Sequence, residues 1–261
     1  MKWKLATSTV TGKSHAERSE AGQDYCKAGV IRIADDDYFI GLVSDGAGST
    51  TEGGRGAEIA CETAYARIVE ALSVASGNCG AGSTHAISDQ HVRGWITAAH
   101  EAIVLEAEGK GKGIRDYACT LLGTIAGREC SIFFQIGDGA IVTCESGDYD
   151  TVFWPEQGEY ANTTFFVTDE QYLDRLRTHR SEVPPGEIAL FTDGLQNLVL
   201  SFSEKKPHIG FFRPLFEALQ KSPEDPYSMF SAQLQKFLGR DEINERSDDD
   251  RTLVLAVNIP A

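Results

Sequence analysis

The chain has 261 residues, of which 41% are hydrophobic, enough to bury a sizeable core without disulfide or metal staples. Lys and Arg number 24 against 39 Asp and Glu, a formal net charge of −15, so the field of the whole molecule repels a polyanionic backbone. Nucleic acid is thereby excluded as an expected partner, and divalent cations become expected ones.

The opening MKWKLATSTVTGKS lacks the apolar segment of a signal peptide, and no apolar run reaches membrane-spanning length. Six cysteines (26, 61, 79, 119, 130 and 144) are scattered without a C-x-x-C pair, which reads as reduced core residues. The expectation is a single domain over 1–261, cytoplasmic, monomeric and without membrane contact.

In chain order, residues 2–10 and 28–33 have strand content, separated by the polar segment Gly12 to Asp24, read as a long loop. The apolar run Tyr38 to Val43 reads as a buried strand ending in Asp45, Gly46 and Gly48. A carboxylate is then held at a strand's end beside glycines that let a carbonyl approach a ligand closely. From Gly53–Gly56 a helix keeps Ala57, Ala60, Ala64, Ile68 and Leu72 at helical spacing to about Ala75. Ser76 to Thr84 is a connector. Ser88 caps a second helix, with Val92, Trp95, Ile96, Ala99 and Ile103 on one face and Gly109 at its end, and the two helices form an antiparallel pair.

Strands are expected at Ala118–Ala126, Ser131–Ile136, Ala140–Cys144, around Val152–Trp154, at Thr163–Thr168 and at Ile188–Thr192. Gly137-Asp138-Gly139 fits a tight hairpin turn, and Leu173 to Pro185 a polar loop or short helix. The Leu190 to Gly194 stretch repeats the earlier pattern, an apolar run delivering Asp-Gly. Helices follow at about Pro214–Lys221 and from Asp225, with Pro226 at its first position, to Gly239; a strand at Thr252–Asn258 closes the chain. Helices that come in pairs between strands cannot make single βαβ crossovers. The pattern therefore favours an α+β fold, a four-layer α-β-β-α sandwich of two mostly antiparallel sheets flanked by helix pairs.

Four acidic punctuations stand out: Gln23-Asp24, Ser44-Asp45-Gly46, Thr192-Asp193-Gly194, and Asp248 to Thr252. In antiparallel neighbours such strand ends share a rim. Carboxylates crowded there cannot all stay ionised without counter-charge, and oxygen-only donors point to Mg or Mn.

These residues, together with Ala118-Cys119-Thr120 and Gly137-Asp138-Gly139, occur in the motif order of the type 2C metal-dependent protein phosphatases, the PPM family. The chain resembles their short bacterial branch from His15 to Val257. The resemblance implies hydrolysis of phosphoserine and phosphothreonine on proteins, with two or three divalent ions held by Asp24, Asp45, the Gly46 carbonyl, Asp193 and Asp249. Asp45 and Asp193 would be catalytic, with Asp45 bridging two cations and a water between them acting as nucleophile. Asp250 stays open as an alternative to Asp249. The partners implied are a phosphoprotein substrate and a cognate Ser/Thr kinase or that kinase's target.

The family places an arginine five residues before the aspartate matching Asp24. Here that position is Ser19, leaving Arg18 and His15 as the candidate phosphate binders. Asp116 stands one position from a family ligand of a third metal. Asp138 is read as a turn residue. The C-x5-R spacing of Cys61 and Arg67 is a decoy, because helical periodicity sets them about 120° apart. His85, His91 and His100 lack zinc spacing, and no contiguous calcium loop is present. The alternative, a pseudophosphatase acting as a binding or regulatory module, is disfavoured by the completeness of the acidic set.

Overall fold

The computed structural model describes residues 2–33, 35–79, 84–155, 164–223 and 227–259. The elements are β1 (Lys2–Val10), α1 (Lys13–Glu17), β2 (Tyr25–Ile33), β3 (Asp36–Ser44), α2 (Gly53–Cys79), α3 (Asp89–Lys110), β4 (Leu121–Ala126), β5 (Ser131–Ile136), β6 (Ala140–Glu145), β7 (Asp148–Thr151) and β8 (Arg177–Ser181). They continue with β9 (Glu187–Phe191), α4 (Gln196–Val199), the short β10 (Leu200–Ser201) and β11 (Lys206–Pro207), α5 (Ile209–Lys221), α6 (Tyr227–Leu238), α7 (Asp241–Asn244) and β12 (Arg251–Ile259).

Two five-stranded sheets carry the fold, ordered β1-β12-β9-β6-β7 and β2-β3-β4-β5-β8, with every pairing antiparallel. The central strands are buried on both faces, so they read as continuous apolar runs rather than as alternation. In β4, Leu121 and Ile125 face the helix pair α2–α3, while Leu122 and Ala126 face the other sheet. The core between the sheets gathers Trp3, Phe39, Val43, Phe133, Leu190 and Val254. A third core packs α5 and α6 on the first sheet through Phe212, Phe216, Leu219 and Leu234. Three apolar cores between four layers of structure, two sheets and two helix pairs, make the expected sandwich, each large buried side chain contributing about 1.5–3 kcal/mol.

The helix ends follow local chemistry. Ser88 opens α3, where its N–H donates to His91 Nδ1 at 3.1 Å. Closure comes at Gly111 rather than Gly109, because Gly111 adopts the left-handed conformation (φ 66°) that lets its N–H reach back to Ala107 and Glu108. The expected helix to about Ala75 runs on to Cys79 and takes in part of the expected connector. Asp225 and Pro226 lie outside the described residues.

Several expectations fail for identifiable reasons. Gly137-Asp138-Gly139 is not a hairpin turn, since β5 and β6 belong to different sheets and this corner carries the chain from one to the other. Gly137 accepts a φ of 109° there, with Thr120 packed against its α-carbon. Residues 164–168 form coil and turn, whereas β8 arises inside the polar stretch 173–185 as an edge strand paired to β5. Its residues Arg177 to Ser181 are all polar, so it lacks an apolar signature. The strand expected around Val152–Trp154 lies earlier, as β7. The segment 12–24 holds the short helix α1. No helix among the described residues is long and apolar enough to cross a membrane.

Candidate active site

One rim of the sandwich collects the chain ends that the acidic motifs occupy. β3 ends at Ser44 opposite Tyr25, the first residue of β2, so Asp45 and Asp24 leave the second sheet side by side. β9 and β12 pair as Phe191 with Leu253, which puts Asp193 next to the residues preceding β12. The sheet-crossing corner brings Asp138 to the same rim. Asp45, Asp138 and Asp193 can each place a carboxylate oxygen within 4.8 Å of the others.

Backbone contacts fix this geometry. Thr120 N–H donates to the Asp45 carbonyl at 2.8 Å, and Asp45 N–H donates to Thr120 Oγ1 at 2.9 Å. Gly46 N–H donates to the Gln23 carbonyl at 3.1 Å, tying the two loops together. A side chain at Gly46 would run into the backbone of Gly53, so only glycine lets the turn dock on the start of α2. Gly194 has the same constraint against the Asp250 carbonyl.

Asp24 is buried and accepts a hydrogen bond from Thr192 Oγ1 at 2.7 Å. Burial pushes its carboxyl up to about 8, against the Thr192 bond and with help from Asp250 and Asp193. Burial, with Asp138 and Asp249 nearby, raises Asp193 to about 7. Asp45 is raised well above the usual range, by burial first and then by Asp24, Asp193, Asp249 and Asp138. The cluster is short of positive charge. Asp24 Oδ1, Asp138 Oδ1 and Asp193 Oδ1 are buried without a hydrogen-bond donor, a state that costs free energy until a cation supplies the missing partner. Hard oxygen donors at this spacing fit a divalent ion such as Mg or Mn.

Asp249 and Asp250 separate cleanly. Asp249 is exposed and lines a cavity of about 550 Å³ with His15, Arg18, Gly48, Asp193 and Asn197. Asp250 is buried and taken up by backbone donors, namely Gly12 N–H at 2.6 Å and Gln23 N–H at 2.5 Å. Asp249 therefore fits a ligand and Asp250 an internal anchor. Arg251, fully buried behind them, is a resident cation, and burial pulls its pKa down against the pull of Asp250 and Asp24.

The two phosphate-binding candidates differ in setting. Arg18 is exposed, pairs with Glu20 at 2.7 Å, and lies on the wall shared by the 550 Å³ cavity and a neighbouring groove of about 890 Å³. His15 is buried with Nδ1 3.1 Å from Asp250 Oδ2. The Asp116 carboxylate accepts the Gly113 N–H at 3.0 Å and caps a short turn of helix. Asp138, read from the sequence as a turn residue, is one of the clustered carboxylates. It accepts from Thr164 Oγ1, while its carbonyl accepts from Gln196 Nε2. The signal for it was present, since Gly-Asp-Gly falls within the ordered motif set, but the motif was read as a structural turn bordering the site. Cys61 is buried in α2 and its thiol is pushed well up by burial, which removes the thiolate that the C-x5-R decoy needs.

Comparison with known proteins agrees with this geometry. The chain is 34% identical over 258 residues to serine/threonine-protein phosphatase 3 of Escherichia coli K12, covering 98% of this chain and 99% of that one. Its fold is similar to that of PppA from Pseudomonas aeruginosa, with a TM-score of 0.64, 17% identity and 99% of each chain covered. Serine/threonine phosphatase Stp1 from Staphylococcus aureus gives a TM-score of 0.63 at 13% identity, with 100% of this chain and 96% of that one covered. The family described as protein phosphatase 2C matches residues 11–239, the span that holds most of the clustered carboxylates and both phosphate-binding candidates, and the chain belongs to that family of serine/threonine protein phosphatases.

Proposed function

We propose that residues 1–261 act as a single catalytic domain that dephosphorylates phosphoserine and phosphothreonine on proteins with two or three Mg or Mn ions. The observation that carries this reading is the meeting of Asp45, Asp138 and Asp193 within 4.8 Å, with unpartnered buried oxygens among them. Asp24, Asp45, the Gly46 carbonyl, Asp193 and Asp249 would hold the ions, and Asp138 rather than Asp116 would complete a further site.

Bound divalent ions supply positive charge against the phosphoryl oxygens and acidify water at neutral pH. The chain's own residues do the rest. Asp45 lies at the centre of the cluster, where the repulsion of its neighbours favours cation over proton as the working pH rises. Arg18, on the wall between cavity and groove, is placed to orient the phosphate by a charge-assisted contact. The groove has room for the polypeptide on either side of the phosphorylated residue.

Hydrolysis of phosphoserine, phosphothreonine and phosphotyrosine peptides, with Mn or Mg and again after exhaustive chelation, tests the proposal. The first two peptides are expected to be cleaved only with metal present. Activity that survives chelation would refute the mechanism, and binding of phosphopeptides without turnover would favour the pseudophosphatase alternative.

A further inference from the structure

The segment between β1 and β2 leaves the first sheet after Val10 and enters the second at Tyr25, carrying α1 and Arg18 across the mouth of the cleft. One carboxylate holds both of its ends. Gly12 N–H donates to Asp250 Oδ1 at 2.6 Å and Gln23 N–H to Asp250 Oδ2 at 2.5 Å, while His15 Nδ1 lies 3.1 Å from the same Oδ2. Asp250 is 2% exposed and His15 3%, so solvent does not compete for these contacts. Secondary contacts follow the same path: Ser14 N–H donates to the Asp248 carbonyl at 3.0 Å, and Arg251 Nη2 to the Thr11 carbonyl at 3.5 Å. Gly12 packs so closely on the Asp249 backbone that a side chain there would collide with it.

The clamp leads directly to the reacting centre. Gln23, fixed through its N–H, accepts Gly46 N–H at its carbonyl and is followed by Asp24. A single buried side chain thus sets the position of Asp24 and Arg18 relative to Asp45. Backbone N–H groups bound to a carboxylate make strong, directional hydrogen bonds, and removing the acceptor strands buried donors.

We propose that Asp250 is a positioning residue, which clamps the two ends of the 11–24 segment and thereby sets where Arg18 meets the phosphate. Asp250→Ala removes both acceptors. Asp250→Asn keeps one and turns an amide N–H₂ toward a backbone N–H, so its effect is the smaller of the two.

Two measurements test the clamp. The first is amide hydrogen exchange on the metal-free protein. Asp250→Ala is expected to speed exchange across 11–24 by about tenfold or more, leaving β4 and β5 at wild-type rates. The second rests on the phosphatase reading above: a double-mutant cycle with Arg18→Ala on the KM for a phosphothreonine peptide, where the double mutant should fall well short of the product of the single effects. Unchanged exchange across 11–24, or effects on KM that simply multiply, would overturn the proposal. Should Asp250→Ala fail to fold, Asp250→Asn carries both measurements. If the wild type hydrolyses nothing, the phosphatase reading fails and the exchange experiment still decides the clamp.

Discussion

Two walls of the cleft are built by different means. The turn from β3 to α2 is held by its backbone: Asp45 and Ala47 are bonded to Thr120 and Ala118, and Gly46 is pressed on Gly53. The connection from β1 to β2 depends on side chains, above all Asp250, and it includes Ser19 at a φ of 58°, a conformation non-glycine residues seldom adopt. A wall made of backbone tolerates changes of side chain but not an added Cβ. A wall made of one carboxylate tolerates backbone irregularity and depends on that residue. On the proposed function, the first wall carries carboxylates that would hold the ions, and the second carries Arg18, which would meet the substrate.

The largest effect should come from the backbone-held wall. Asp45→Asn, and likewise Asp193→Asn, is expected to lower kcat/KM by on the order of 10²–10³-fold in saturating Mn while preserving the circular dichroism spectrum. Near-wild-type turnover in either variant would separate these carboxylates from the chemistry. Gly46→Ala tests the same wall sterically. Because the added methyl meets backbone rather than a flexible side chain, it should cost about 3 kcal/mol, seen as a Tm lower by roughly 6–12 °C. A Tm within a degree of wild type would show that the turn can relax.

Acidity gives the next effect. Asp193 at about 7 and Asp24 at about 8 lie above the roughly 3.9 of an unfolded aspartate, so the folded chain binds more protons across that interval. The stabilising contribution is complete below the unfolded pKa and is lost as pH rises through the folded values. Metal-free protein should therefore lose several kcal/mol between pH 5 and pH 8.5, and added Mn should restore stability at the upper end. A flat stability profile after chelation would contradict the crowding of these carboxylates.

The smallest effect belongs to the other wall. Arg18 is exposed and already paired with Glu20, so Arg18→Ala should raise KM only about fivefold, near 1 kcal/mol, with kcat little changed. Arg18→Lys should restore part of this, since a point charge lacks the guanidinium fork. An Arg18→Ala variant with unaltered KM would transfer phosphate recognition to another group.

The four-layer architecture was legible because helices come in pairs and central strands are apolar throughout, both consequences of what must be buried. That Asp24, Asp45 and Asp193 come to one rim was legible from short motifs at strand ends. The edge strand β8 was not, since its residues Arg177 to Ser181 are all polar and leave no apolar alternation to separate it from a loop. The hairpin reading of Gly137-Asp138-Gly139 failed because Gly-Asp-Gly reads the same whether it closes a hairpin or turns a corner between sheets, and only the pairing of β6 with β9 rather than β5 decides.

What the amino-acid sequence determined by itself is the set of carboxylates, the glycines beside them and the apolar runs that deliver them, because those are local chemistry. Tertiary structure alone decided the division of labour within that set. Asp249 and Asp250 are adjacent and chemically identical, yet one faces the cavity and the other is buried under two backbone N–H groups from 238 and 227 residues earlier in the chain. Their difference resides in those distant donors, and no local pattern encodes which neighbour will receive them.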